Sequence, residues 1–196
     1  MNARLEQLMI ASFLFGLGWF ALNKEPTKAG AKLGQDEPIA LESSEPVRTW
    51  RVKPGSVHDG DTFRAVADLT NEEIRVRMAC IDAPELKQAG GVESRDFLRK
   101  MLPDDAEVIL SIAEEDRFGR MVAEVFVPTD KPELEIAVNG EMVASGHAHF
   151  YGRYKSACPD NAEQLENLAG LAQDGKLGLW ASGNVIEPWE FRRKNK

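Results

Sequence analysis

Positive charge is in short supply in this sequence. Its 24 Lys and Arg face 32 Asp and Glu, for a net charge of −8. That balance excludes a domain that grips nucleic acid by overall charge, since such domains have a strongly basic pI. A locally basic or metal-bridged site stays open. Cysteine is scarce too. Cys80 and Cys158 are too few for a disulfide scaffold and lack the paired spacing of a zinc site, so they form one bridge or none. There is no internal repeat, and no strand–helix alternation of the kind that builds a parallel sheet. A single long apolar run is present, Leu8 to Leu22, uncharged and bracketed by Arg4 and Lys24.

At fifteen residues the run falls between a signal-peptide core of ~7–15 residues and a comfortable membrane span of ~20. A small-x-small site at Ala29-Gly30-Ala31 would serve cleavage, and retention as an anchor fits equally. Residues 25–48 are rich in Lys, Glu, Ser, Gly and Pro, the composition of a flexible linker without a core. The chain therefore divides into a signal peptide or membrane anchor (1–24), a linker (25–48), one globular domain (49–191) and a basic tail (192–196).

Within the domain the hydrophobic period switches between two and about 3.6. Strands are expected at 50–52 with 56–57, at 62–67, at 73–80, at 107–113 and at 121–127. In the third, Ile74, Val76, Met78 and Cys80 share one face while Arg75 and Arg77 share the other. Helices are expected over 92–102, 136–145 and from a cap at Asp160 to Gly175. The fold class that follows is α+β, a five-stranded OB-type β-barrel with about three helices.

Three short pieces carry chemistry. His58-Asp59-Gly60-Asp61-Thr62 has Asp-Gly turn character, and its composition does not match a helix–loop–helix calcium loop. Arg77 to Glu85 runs a strand into a proline turn with two carboxylates, and Asp116-Arg117-Phe118-Gly119-Arg120 is a charged hairpin. Each alone is an ordinary turn, but together they suit an anionic phosphodiester, whose hydrolysis adds negative charge that cations must stabilise. Asp61 and Asp82 are hard oxygen donors for Ca²⁺ or Mg²⁺. Arg77 and Arg120 offer planar forks for phosphate oxygens. Glu85, three residues beyond Asp82, can act as a general base on a bound water.

These pieces, with the Gly146 to Tyr154 stretch and Leu177-Gly178-Leu179-Trp180, resemble the staphylococcal nuclease-like (thermonuclease) family in consistent order from about Trp50 to Trp180. The resemblance implies an OB-barrel enzyme that cleaves DNA and RNA with Ca²⁺ and leaves 3′-phosphate ends. It also implies that Asp61 and Asp82 bind Ca²⁺ through carboxylates and Ala83 through its carbonyl, that Arg77 and Arg120 hold the scissile phosphate, and that Glu85 is the base. Ala83 replaces a Thr of the best-known form, which a carbonyl ligand tolerates, and Phe118 replaces a Tyr. Tyr151, Tyr154 and Arg117 are the candidate substrate contacts. His147 and His149 show no third nitrogen or sulfur ligand nearby. The extension from Pro188 to Lys194 would pack aromatics on the domain and turn its basic end toward nucleic acid or an anionic membrane.

The expected protein is thus an extracytoplasmic nuclease, monomeric, acting on DNA or RNA, and held to a membrane through residues 8–22 if these are not cleaved. The rival reading is a noncatalytic OB-fold module tethered to a membrane that binds nucleic acid or protein. Such modules typically lose the carboxylates and arginines present here.

Overall fold

A computed structural model describes residues 49–131, 134–183 and 185–195. The apolar run 8–22 and the linker 25–48 lie outside the described residues. In chain order the elements are β1 (Thr49–Val52), β2 (Thr62–Ala67), β3 (Glu73–Met78), β4 (Ile81–Asp82), α1 (Gly91–Met101), β5 (Glu107–Glu115), β6 (Met121–Pro128), β7 (Glu135–Ala137), α2 (Val138–Ala144), β8 (His149–Phe150), α3 (Ala162–Asp174) and α4 (Pro188–Lys194).

Strict alternation along the first three strands turns Trp50, Val52, Phe63, Ala65, Ala67, Ile74, Val76 and Met78 inward, all buried. They form an antiparallel meander with Trp50 opposite Ala67 and Phe63 opposite Val76. β5 pairs with β1, β6 pairs with β5, and β6 then runs parallel to β3 with Val76 opposite Met121. That last pairing closes a five-stranded barrel of the expected OB type. Closure removes the free edges that invite aggregation. β7 extends the sheet from β6, and α1, α2 and α3 seal the core with Leu98, Met142, Val143 and Leu165.

Some local expectations change. No strand forms at 56–57, where the chain turns through a bond from Ser56 N to Lys53 O. The strand expected to run to Cys80 stops at Met78, because Cys80 takes a left-handed φ of 59°. Buried Asn139 pins this break: its amide donates to Ala79 O at 2.8 Å, and its oxygen accepts from Val125 N at 2.9 Å. The chain then re-enters as β4 against β8, with Asp82 opposite His149. The helix expected from 136 starts at Val138 instead, since Ile136 pairs with Val127 in the sheet. Asp160 does not cap α3. The N-cap is Asn161, whose side chain is drawn away to Glu124 at 2.8 Å.

Cys80 and Cys158 are bridged, with Cα atoms 6.2 Å apart. The bond ties the β3–β4 turn to the loop before α3. Residues 188–194, expected as an extension ending in a basic tail from 192, form the helix α4, with Pro188 buried at its first turn, a favoured place for proline.

Candidate active site

The site is assembled where the β1–β2 turn meets β4. Gly60 makes that approach possible, because a Cβ there would collide with Ser94 Oγ of α1 and with Ala83 Cβ. Asp59 Oδ1 accepts from Asp61 N at 3.1 Å, an Asx turn that sets the next carboxylate. Asp61 Oδ2 accepts from Ala83 N at 2.8 Å, and its Oδ1 accepts from Thr62 Oγ1 at 3.0 Å. Arg77 lies between the two key carboxylates, with one nitrogen, Nη2, 2.9 Å from Asp82 Oδ1 and 3.2 Å from Asp61 Oδ2. Its Nη1 donates to Met78 O at 2.7 Å and Ile81 O at 2.8 Å. The fork thus joins both carboxylates to the strand break. Asp61, Arg77, Asp82 and Ala83, named from sequence, come together.

A residue the sequence reading did not assign to the site completes the cluster. Arg192 of α4 donates from Nη2 to Asp82 Oδ2 at 2.6 Å, and from Nη1 to Asp82 Oδ1 at 3.1 Å and Glu85 Oε1 at 2.9 Å. Asp82 is fully buried while Glu85 is 39% exposed. Burial pushes Asp82 above the usual carboxylate range, opposed by hydrogen bonds from Arg192 and by the charge of Arg77. Burial, followed by repulsion from Asp61, lifts Asp59 to about 6. Glu85 is placed by Gly91, where a Cβ would strike the Glu85 carbonyl. No local signal marks Arg192; the sequence shows an extension from Pro188 with a basic end, but not the surface on which that end packs.

The other candidates are held by partners of their own. Arg120 is held within its own hairpin by Asp116, at 2.8 Å from Nε and 2.7 Å from Nη2. Burial opposes it, but bonds from Arg120 and from the Phe118 amide keep Asp116 below the usual range. Arg117 stacks over Phe118, 4.7 Å from its centroid, at the exposed tip. Tyr151 follows β8 and stacks face to face on Trp189 of α4 at 4.7 Å, with Tyr154 edge-on at 5.2 Å and half exposed. His147 stacks on Phe97 rather than facing His149.

His149 is buried between Trp180 and Trp189, its Nε2 without a hydrogen-bond partner among the described residues. Burial pushes it from 6.5 down to about 4. The unfolded imidazole takes up its proton near pH 6.5, the folded one only near pH 4, so acid favours the unfolded chain across that window. Stability is therefore expected to fall by about 2–3 kcal/mol between pH 7 and pH 4 from this group alone. Urea titrations of wild type and His149→Gln measure it; parallel pH dependences in the two would refute the assignment.

Among the described residues no three His, Cys, Asp or Glu side chains are arranged to hold a metal. The donor set of Asp61, Asp82 and the Ala83 carbonyl nonetheless suits a hard divalent cation that keeps several waters. A positive group already sits on Asp82 and Glu85, the guanidinium of Arg192. These oxygens are therefore disposed to take a cation.

Residues 75–182 match the model of a family described as staphylococcal nuclease homologue. The chain is similar to a micrococcal nuclease of Shigella flexneri, 37% identical over 70% of this chain and 78% of that protein. It is also similar to protein ParB of Escherichia coli, 33% identical over 70% and 76% of the two chains. An uncharacterized endonuclease of Haemophilus influenzae is 36% identical over 71% of each.

Proposed function

The chain belongs to the staphylococcal nuclease homologue family and is a phosphodiester-hydrolysing nuclease, and we propose that it is a Ca²⁺-dependent endonuclease that cuts DNA and RNA with little sequence specificity, leaving 3′-phosphate ends. The observation that carries this reading is the convergence of Asp61 and Asp82 on Arg77 Nη2 beside the accessible carboxylate of Glu85.

Asp61, Asp82 and the Ala83 carbonyl would hold the cation, which when bound supplies positive charge to the phosphoryl oxygens and lowers the pKa of coordinated water. Glu85 takes a proton from the attacking water at a carboxylate oxygen. Arg77 orders the two aspartates and, with Arg120, stabilises charge on the phosphate. Tyr151, Tyr154 and Arg117 meet bases and neighbouring phosphates. Such contacts carry little sequence information, which explains weak base preference.

The net charge of −8 suits a body that binds nucleic acid only through this local patch. An extracytoplasmic location, as a monomer tethered through residues 8–22 or released by cleavage, is supported by the Cys80–Cys158 bridge, a bond that oxidising compartments preserve.

The test incubates the purified full-length chain with single- and double-stranded DNA and with RNA, in Ca²⁺ or in chelator. Cleavage is expected in Ca²⁺ alone, and Arg120→Ala is expected to lose about 10²–10³-fold in rate. Undiminished cutting in chelator, or full activity of the variant, would overturn the reading.

A further inference from the structure

Helix α4 lays two groups on the site from neighbouring positions one turn apart. Residues three apart on a helix share a face, and here those residues are Trp189 and Arg192. Trp189 stacks on Tyr151, with rings 4.7 Å apart and nearly parallel, and meets His149 edge-on. Arg192 takes both oxygens of Asp82 and one of Glu85. The helix is seated at its start by buried Pro188 and by a bond from Gln88 Nε2 to Ile186 O.

Three of the groups that α4 covers are ones the proposed reaction needs open: the cation ligand Asp82, the base Glu85 and the stacking face of Tyr151. With Arg77 on Oδ1 at 2.9 Å and Arg192 on both oxygens, three of the roughly four acceptor sites of Asp82 are taken, and Oδ2, the oxygen that Arg77 leaves free, is occupied by Arg192. The Arg192 guanidinium and a divalent ion therefore compete for Oδ2, where like charges held close together repel.

We infer that α4 is an internal plug, in which Arg192 stands where the cation binds and Trp189 where a nucleotide base stacks, and that Ca²⁺ must displace Arg192 to load the site. This rests on the Ca²⁺-dependent reading above. The plug does not seal the site. An open groove of about 510 Å³, lined by His58, Asp59, Glu85, Lys87, Phe191 and Arg192, runs beside the carboxylates. Arg192 is 40% and Glu85 39% exposed, so that pair is partly screened, and the guanidinium reaches the buried Asp82 from the solvent side. Apparent cation affinity then equals the intrinsic affinity reduced by the fraction of molecules with Asp82 free.

The test measures Ca²⁺ binding by isothermal titration calorimetry on the full-length chain without nucleic acid, so the readout is independent of activity. Arg192→Ala is expected to bind Ca²⁺ about tenfold tighter than wild type, within the usual range of coupling between sites. Arg192→Gln, which keeps the stem packing but not the charge, is expected to behave alike if the alanine variant folds poorly. Arg193, 72% exposed and paired with Glu190, gives the control, and Arg193→Ala is expected to match wild type. In wild type, Ca²⁺ is expected to shift tryptophan emission as Trp189 leaves Tyr151, with the shift absent in Trp189→Phe.

Equal or weaker Ca²⁺ affinity in both Arg192 variants, or saturation of wild type with no Trp189-dependent change, would overturn the plug and leave the Ca²⁺ reading intact. Absence of Ca²⁺ binding in every variant would instead remove that reading, and the inference with it.

Discussion

Arg77→Ala is expected to lower kcat/KM on DNA by about three orders of magnitude and to cost about 3–5 kcal/mol of stability. Both effects have one origin. The Arg77 guanidinium satisfies two carboxylates and two carbonyls of the β3–β4 break, and Asp82 is fully buried. Removing the cation leaves Asp61 and Asp82 close together with less compensation, and like charges in a poorly solvated site repel strongly. Catalysis suffers because positioned cations are the main source of rate in phosphoryl transfer. Arg77→Lys is expected to recover part of the stability but little of the rate, since an ammonium cannot span four acceptors in a plane. Steady-state kinetics and urea unfolding of the two variants decide it. An alanine variant within tenfold of wild-type activity would mean that Arg77 is not part of the chemistry.

Reducing the Cys80–Cys158 bond, or replacing both cysteines with serine, is expected to cost about 4 kcal/mol. The bridge spans 78 residues, and a loop of that length removes substantial entropy from the unfolded chain. For a domain of this size the loss lowers Tm by roughly 10 °C. An effect on the site is expected as well. Cys80 is the left-handed residue that redirects the chain into β4, two positions before Asp82, so a looser turn misplaces that carboxylate. Thermal unfolding with and without reductant gives the stability, and Ca²⁺ titration of the same samples gives the site effect. Identical melting of oxidised and reduced protein would show that the buried Asn139 and the strand pairing hold the turn unaided.

How far the chain could be read locally varied with the range of the deciding contact. Thr62–Ala67 and Glu73–Met78 were legible because a strand packed on one face writes its burial into every second residue. The Cys80 turn was not, since the alternation continues through Ile74, Val76, Met78 and Cys80 while the backbone is broken by contacts from Asn139, 60 residues away. Ile136 failed for a similar reason: its helical periodicity lost to pairing with Val127. Asp160 satisfied a capping pattern, yet Asn161 became the cap position. A short motif is only permissive when neighbouring side chains have alternative partners.

The alternating strands of the barrel and the inventory of acids and arginines in the three motifs are written in the chain itself, because periodicity and turn chemistry act over a few residues. The sequence leaves the cysteine pairing open. Tertiary structure alone decided that Cys80 meets Cys158, that Asp61 and Asp82 share one nitrogen of Arg77, that Tyr151 is covered by Trp189, and that Arg192 lies on Asp82. The last contact joins residues 110 apart. Nothing in the spacing along the chain encodes it, because it depends on where a closed barrel leaves a surface for the final helix to cover.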